Sequence, residues 1–414
     1  MRSGQRTPPV WLMGFSNATL GFSTGIVSFV LPQLMAAEHI PEGKIAAITA
    51  VGFSPNFWFF LFSPMLDVRF SRRWYATAFA ALSGIANAIA VLSLHHLAVL
   101  ELAMVIASAT AMLSSSAVGG WFSNITADEN RNPLSKWMNI ALISGIGVIS
   151  LLGGTLARNL PIVLVAMILG AIVFVPAAIF LVIPSPAPDG RFAGESFRQF
   201  NREVLSLLKR REVVVVLLLF LSPCSTFVLP NLLGGLGGDF HASQQIISLA
   251  GGVGAFFPGL LGCFVFPAIA RKLPLRFFYL ANGITGSLFT LSLLLLPRTP
   301  WSFGIAVFGE FLFQAISFAI QIGIVFEAIG PENPLAATTF SFLTAATNVP
   351  ATTVMLADGH AYSAGGITVQ FTTDALIGIA TCLIAGFLLA RFDSGRSRRA
   401  PETALLTTAL PDEN

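Results

Sequence analysis

One carboxyl group stands in the middle of a long apolar stretch of this sequence. Glu310 lies nine residues after Trp301, in a run that continues to position 326. Gln314, Ser317 and Gln321 follow it at intervals of four, three and four, so all four side chains share one face of a helix. A carboxyl group is costly to keep charged in such surroundings, so Glu310 could pick up and release a proton. The alternative is a buried glutamate that is hydrogen-bonded to a neighbouring helix and has only a structural role.

The composition indicates that this helix crosses a membrane. Hydrophobic residues make up 55% of the 414 residues and charged residues 10%, and the mean hydropathy is +0.78. Soluble proteins have about 25% charged residues. A bilayer core about 30 Å thick needs about 20 apolar residues per helix. We therefore predict an all-α polytopic membrane protein with twelve transmembrane helices, at about 10–35, 45–63, 74–94, 97–119, 137–157, 161–183, 213–234, 244–268, 277–296, 301–326, 335–357 and 368–390.

Basic residues predict how these helices are oriented, because Lys and Arg are retained on the cytoplasmic side during insertion. If both termini are cytoplasmic, 20 of the 23 Lys and Arg residues fall inside. Only Lys44, Arg158 and Arg298 then lie outside. Both ends are therefore predicted to be cytoplasmic. The net charge of +3 reflects this distribution, and we expect no binding of nucleic acid.

The chain also contains an internal repeat. Asn132-Pro133-Leu134 recurs as Asn333-Pro334-Leu335, and the segment 64–75 resembles 267–279, in each case six predicted spans apart. Membrane proteins built from two such copies are typically transporters with a central cavity. We predict an N-terminal half (1–183), a cytoplasmic linker with an amphipathic helix (184–212), a C-terminal half (213–391) and a disordered tail (392–414).

Parallel halves of six helices, with a basic turn between the second and third helix of each, resemble the major facilitator superfamily. Asp67 followed by Arg72 and Arg73 is similar to its loop signature, although Ser63 and Phe70 replace the usual glycines. The segment 334–350 resembles the eleventh helix of the peptide, acetyl-CoA and drug transporter branch, the AmpG-type permeases. Those permeases import muropeptides or acetyl-CoA-like metabolites, commonly with protons.

In the fold that this resemblance implies, spans 1, 4, 7 and 10 line the cavity. Polar residues there, and one in span 11, are candidates for substrate binding: Asn17, Thr24, Ser28, Thr226, Asn231 and Asn348, beside Glu310, Gln314 and Gln321. Uncharged donors and acceptors suit a sugar-like or amide-bearing substrate better than a strongly anionic one. Alternatively, each hydroxyl bonds to its own helix.

The loop between spans 2 and 3 is the candidate gate. Asp67, with Arg69, Arg72 and Arg73, is expected to hold the two halves together on the inside in one state and to release them in the other. The alternative for the arginines is anchoring of the loop at the cytoplasmic surface.

The remaining acidic and nucleophilic residues suggest no enzyme. Asp358 is expected in an outside loop and Asp374 at the shallow end of span 12, both in contact with water. The sequence has neither a P-loop nor an H-E-x-x-H motif. The histidine spacing indicates no metal site, and no cofactor is predicted.

These observations predict a secondary active transporter that works by alternating access. The favoured function is proton-coupled uptake of a muropeptide-, peptide- or sugar-like metabolite, by a monomer in a bacterial inner membrane. Efflux of drugs or metabolites by the same fold, and a membrane sensor that does not transport, remain open.

Overall fold

A computed structural model describes residues 8–68, 70–184, 205–206, 209–243, 245–247, 253–330 and 333–407. Within these ranges the backbone alone is described for residues 42, 231, 234, 253–255 and 392–407. The described residues form helices and no strands, so the predicted all-α class is confirmed. Most of the amphipathic helix predicted in the linker lies outside the described residues. The last helix continues to Thr407, into the tail that we predict to be disordered.

The α-helices, in chain order, are α1 (Val10–Phe15), α2 (Ala18–Gly25), α3 (Leu31–Ala37), α4 (Glu42–Phe53), α5 (Pro55–Trp58), α6 (Arg72–Leu92), α7 (Leu97–Ile125), α8 (Arg131–Asn159), α9 (Ile162–Phe174), α10 (Arg211–Leu221), α11 (Leu229–Leu236), α12 (Val253–Ala270), α13 (Leu275–Leu293), α14 (Pro300–Ile329), α15 (Ala336–Ala346) and α16 (Asn348–Thr407). Short 3-10 segments occur at Phe59–Leu61, Ser63–Asp67, Asp128–Asn130, Val175–Leu181 and Gly237–Phe240, and a π-helical turn at Ile26–Val30.

Eight helical segments of the described chain are long and apolar enough to cross a membrane. Seven of them coincide with predicted spans 1 to 6 and 10. The eighth, Ala336–Arg391, contains predicted spans 11 and 12, and its backbone leaves helical geometry at Gly365 and Gly366. Predicted spans 7, 8 and 9 fall on the shorter elements α10 with α11, α12 and α13. The total of twelve spans stays a prediction.

Local sequence explains where several of these helices begin and bend. The Ser71 hydroxyl accepts a hydrogen bond from the Trp74 amide and so caps α6 at a distance of 3.3 Å. Thr299 caps α14 in the same way, and Gly330, with φ of +70°, ends that helix. In span 1, Pro32 has no N–H to donate to the carbonyl one turn earlier, and the π-helical turn Ile26–Val30 precedes it.

The hydrophobic core shows how the two halves meet. We call the end of the bundle with the basic loops the inner end, after its predicted cytoplasmic side, and the opposite end the outer end. One core cluster at the inner end contains Trp121 and Leu134 of the first half together with Phe326 and Leu343 of the second. At the outer end the core divides into one cluster within residues 26–173 and another within 229–371. The halves are therefore packed together at the inner end and have separate cores at the outer end.

Candidate functional site

Predicted span 7 is interrupted about midway along its length. Helix α10 ends at Leu221, α11 begins at Leu229, and the chain between them, which includes Pro223, is not helical. Ser225 in this break has φ of +51°, in the left-handed region that is unusual for a residue with a side chain. Pro223 and Pro230 predict a bend in span 7, and the structure shows an unwound segment instead. Backbone carbonyl groups in such a segment need hydrogen-bond donors from elsewhere.

The polar face of α14 provides these donors. The Gln314 side chain donates to the carbonyl of Phe227 at 2.7 Å, and the Ser317 hydroxyl donates to the carbonyl of Ser225 at 2.8 Å. One turn further on, the Gln321 amide donates to the hydroxyl of Tyr279 on α13 at 3.1 Å. The face predicted from spacing is therefore a helix interface within the C-terminal half, and two of its members stabilise the break in span 7.

Glu310 lies on the same face and is buried, with 1% of its surface exposed. The Thr290 hydroxyl of α13 donates to one carboxylate oxygen, Oε1, at 2.6 Å. The other oxygen, Oε2, is buried and has no hydrogen-bond partner among the described residues. A structural role, in which Glu310 is hydrogen-bonded to a neighbouring helix, thus accounts for Oε1. The other oxygen, Oε2, remains available to bind a proton.

Two further carboxyl groups, Asp358 and Asp374, lie near Glu310. The expectation of an outside loop for Asp358 was wrong: it lies within α16, is 0% exposed, and neither of its carboxylate oxygens has a partner among the described residues. Asp374 is partly buried and lines an internal pocket. All three groups are close enough to interact electrostatically, and within the described chain none forms an ion pair with a basic side chain.

Sequence reasoning missed this cluster because it treated each acid by its distance from the end of a predicted span. The sequence nevertheless contains a pattern that could have indicated the cluster. Asp358, Gln370 and Asp374 are polar residues in the 56-residue apolar segment that ends at Arg391. Gln370 is also buried, and its side-chain oxygen has no partner among the described residues.

The candidates in span 1 differ in their surroundings. Asn17 is buried, donates to the carbonyl of Met138 at 3.2 Å and accepts from the Ser115 hydroxyl at 2.7 Å. It therefore joins three helices of the N-terminal half. Thr24 and Ser28 are half-buried, one turn apart, and their hydroxyls bond to none of the described groups. These two hydroxyls remain available to a ligand.

Of the other predicted cavity residues, one lines a pocket and another lies at the contact between the two halves. Thr226 lies in the break and lines the pocket that also contains Asp374. Asn348 donates to the carbonyl of Asn56 at 2.9 Å, a contact that joins the two halves. Asn231 is in α11, and its side chain lies outside the described structure.

The gate residue Asp67 joins the two halves at the inner end. Its carboxylate accepts hydrogen bonds from the backbone amides of Ala337 (3.2 Å) and Thr338 (2.8 Å) and from the Thr338 hydroxyl (2.7 Å). These groups form the first turn of α15, whose helix dipole also attracts a negative charge. A side chain of the first half therefore caps a helix of the second.

Arg72 completes this contact, which we call the inner latch. It forms an ion pair with Asp67 at 2.7 Å and donates to the carbonyl of Pro334 at the same distance. Asn124 adds a hydrogen bond to the carbonyl of Asn333 at 3.1 Å. The second copy of the Asn-Pro-Leu repeat is thus part of the latch. Arg73 takes no part in it through hydrogen bonds or ion pairs with described residues, and Arg69 lies outside the described chain.

The latch depends on a close approach of α7 to α15. A Cβ atom at Gly120 would lie 2.3 Å from the backbone nitrogen of Ala337, so Gly120→Ala must push the two helices apart. Such overpacking typically costs about 1–3 kcal/mol, and we expect the apparent Tm of the purified protein to fall by several degrees. The control is Gly304→Ala in α14, where a Cβ meets no atom within 4 Å. Equal Tm values for the two variants would contradict this account of the latch.

None of the described His, Cys, Asp and Glu residues form a group of three that could hold a metal ion.

Comparisons with known proteins agree with this architecture. A family model described as Major Facilitator Superfamily matches residues 13–349. Comparison with curated proteins finds no match. Among solved structures, the fucose:proton symporter FucP of E. coli matches with a TM-score of 0.73 and 14% identity, over 92% of this chain and 98% of that chain.

Two further solved structures are similar over most of their length. The human organic anion transporter MFSD10 has a TM-score of 0.66 and 17% identity, over 92% of this chain and 100% of that one. The proton:xylose symporter XylE has a TM-score of 0.65 and 15% identity, over 90% and 94%. At these identities the likeness shows the fold alone, whereas the family model covers most of the sequence. The chain therefore belongs to the Major Facilitator Superfamily, a family of multi-pass membrane transporters.

Proposed function

We propose that this protein takes up a polar metabolite together with protons, by alternating access. In this proposal twelve helices form two halves, both termini are cytoplasmic, and the membrane is a bacterial inner membrane. The AmpG-type resemblance of segment 334–350 supports uptake of a metabolite. That segment begins at the inner latch, which supports a role for it in the transport cycle.

The observation that carries proton coupling is the cluster of Glu310, Asp358 and Asp374. Three carboxyl groups repel one another when they are ionised, and burial penalises each charge. No described basic residue pairs with them, and Oε2 of Glu310 and both carboxylate oxygens of Asp358 accept no hydrogen bond from described groups. Taking up protons relieves both penalties. Glu310 is the proposed proton carrier because it shares its helix face with the residues that support the break in span 7.

The inner latch and the divided outer core support alternating access. The formed latch and the divided outer core support the proposal that this is the state that would receive substrate from outside. Opening the inner end requires the Asp67 carboxylate to leave the amides of α15. The latch is therefore the proposed bistable element of the transport cycle.

A sugar-like or amide-bearing substrate fits the polar groups that remain available. Thr24 and Ser28 offer hydroxyls without a described partner, and the half-buried Gln314 and Gln321 use one donor each in the contacts above. Sugar and proton transport by FucP and XylE on this fold is consistent with the proposal.

Uptake into proteoliposomes tests the proposal. We expect accumulation of a substrate from a panel of muropeptides, short peptides and sugars when the lumen is alkaline relative to the outside. A protonophore should remove this accumulation, which amounts to about tenfold per pH unit of gradient when one proton accompanies each substrate. Accumulation that is insensitive to the protonophore would contradict proton coupling. Movement of no panel member would favour the sensor hypothesis.

A further inference from the structure

We propose that the pocket at the break in span 7 binds a sodium ion, with Asp374 as its charged ligand. The pocket lies between the break, α13 and two parts of α16, and its lining includes Ser225, Thr226, Ser287 and Asp374. It has room for about one water-sized particle, far less than any metabolite needs. The ligand of this pocket is therefore an ion or a water molecule.

The groups that line the pocket are oxygen donors of the type that hard cations bind. Asp374 contributes a carboxylate that accepts no hydrogen bond from any described residue. The Ser287 hydroxyl likewise bonds to no described group, and Thr226 makes only a long contact of 3.5 Å to its own chain. The unwound segment from Pro223 to Phe227 also lines the pocket, and its Ser225 and Phe227 carbonyls already accept hydrogen bonds from α14.

The local field favours a cation of single charge. The lining contains no Lys, Arg or His and one acidic residue, so one positive charge neutralises it. The carboxyl end of α10 lies at the break, which places the negative end of that helix dipole there. Interrupted helices near the middle of the membrane are a recurrent cation site in transporters. A divalent ion is disfavoured because the pocket has only one carboxylate.

Equilibrium binding of ²²Na⁺ to the purified protein tests this site without requiring transport. We expect saturable binding of about one ion per chain, displaced by unlabelled Na⁺ and much less by K⁺ or choline. Asp374→Asn should weaken binding at least about tenfold, because the ion loses the one charged ligand of the pocket. Asp239→Asn, which changes a partly buried carboxyl that lies outside the pocket and is hydrogen-bonded to Tyr362, is the matched control and should bind like wild type.

A second pair of variants protects the test against misfolding of the Asp374 variant. Ser287→Ala should weaken Na⁺ binding several-fold, whereas Ser292→Ala, on the same helix but outside the pocket, should not. Absence of saturable Na⁺ binding in wild type, or equal binding by the Ser287 and Ser292 variants, would overturn the site. Asp374 also belongs to the carboxyl cluster of the proposed function, but the two proposals can fail separately. Na⁺ binding would stand if uptake proved insensitive to a proton gradient, and proton-driven uptake through Glu310 would stand if no Na⁺ were bound.

Discussion

Asp67→Asn is expected to open the inner end of the protein and to reduce uptake at least about tenfold. The substitution removes the charge that holds Arg72, whose side chain is 13% exposed. It also removes acceptor capacity facing the amides of Ala337 and Thr338. Breaking a buried ion pair costs about 3–5 kcal/mol, and about 5.5 kcal/mol converts a 99:1 equilibrium into 1:99. The loss is large enough to shift most molecules away from the state that receives external substrate.

Cysteine labelling measures this shift directly. Ser123 is buried on α7 close to the latch, and the three native thiols are buried as well. A Ser123→Cys reporter should react with a membrane-impermeant maleimide from the inner side much faster in the Asp67→Asn background. Arg73→Gln is the matched control, because it removes a neighbouring charge of the same loop that is not bonded to α15. Equal labelling in the Asp67 variant and its parent would refute the role assigned to the latch.

The inner latch could be predicted from the sequence only in part. The resemblance of Asp67 and Arg72 to the superfamily's loop signature implied a contact between the halves, and retention of positive charge does not by itself require Asp67. The partner of that acid could not be derived in the same way. Asp67 binds backbone amides of α15, which any sequence would present, and Thr338 is one of many threonines of the chain. The pattern of side chains in a sequence does not show that the partner of an acidic residue is the end of a helix.

The polar face of α14 shows a second limit. Spacing correctly placed Glu310, Gln314, Ser317 and Gln321 on one face. Which neighbour that face meets depends on the packing of helices far apart in the sequence. The partners are the carbonyls of an unwound segment and the hydroxyls of α13, and the two prolines of span 7 indicated only that its helix bends. Periodicity predicts the face of a helix, whereas tertiary structure decides what the face contacts.

The position of Asp358 was mistaken for a related reason. Hydropathy placed Asp358 one residue beyond the end of span 11, at the water boundary. In the structure α16 continues past it, and the backbone breaks only at Gly365 and Gly366. The helix thus continues for seven residues, about two turns, beyond its predicted end, and the aspartate in it is completely buried. An error of a few residues in the predicted helix end therefore led to the expectation of an exposed carboxyl group where the structure has a buried one.

The second large effect is expected for Glu310→Gln, which should abolish proton-driven accumulation. Glutamine has the size of a protonated glutamate and can still accept the hydrogen bond from Thr290, so the fold should be retained. It cannot release a proton, so the coupling between proton and substrate is lost. With one proton carried per substrate, a gradient of one pH unit supplies about 1.4 kcal/mol, which corresponds to about a tenfold accumulation.

Exchange of labelled for unlabelled substrate should separate coupling from transport as such. Counterflow at equal pH on both sides needs no net proton movement, so the Glu310→Gln variant should retain it within about twofold of wild type. Its accumulation driven by the pH gradient should be lost. Glu101→Gln changes a half-buried carboxyl near the outer end of α7 and should leave both activities unchanged. If the pH gradient drives accumulation equally in wild type and the Glu310 variant, Glu310 does not carry the proton, and its role is the structural one that its bond to Thr290 provides.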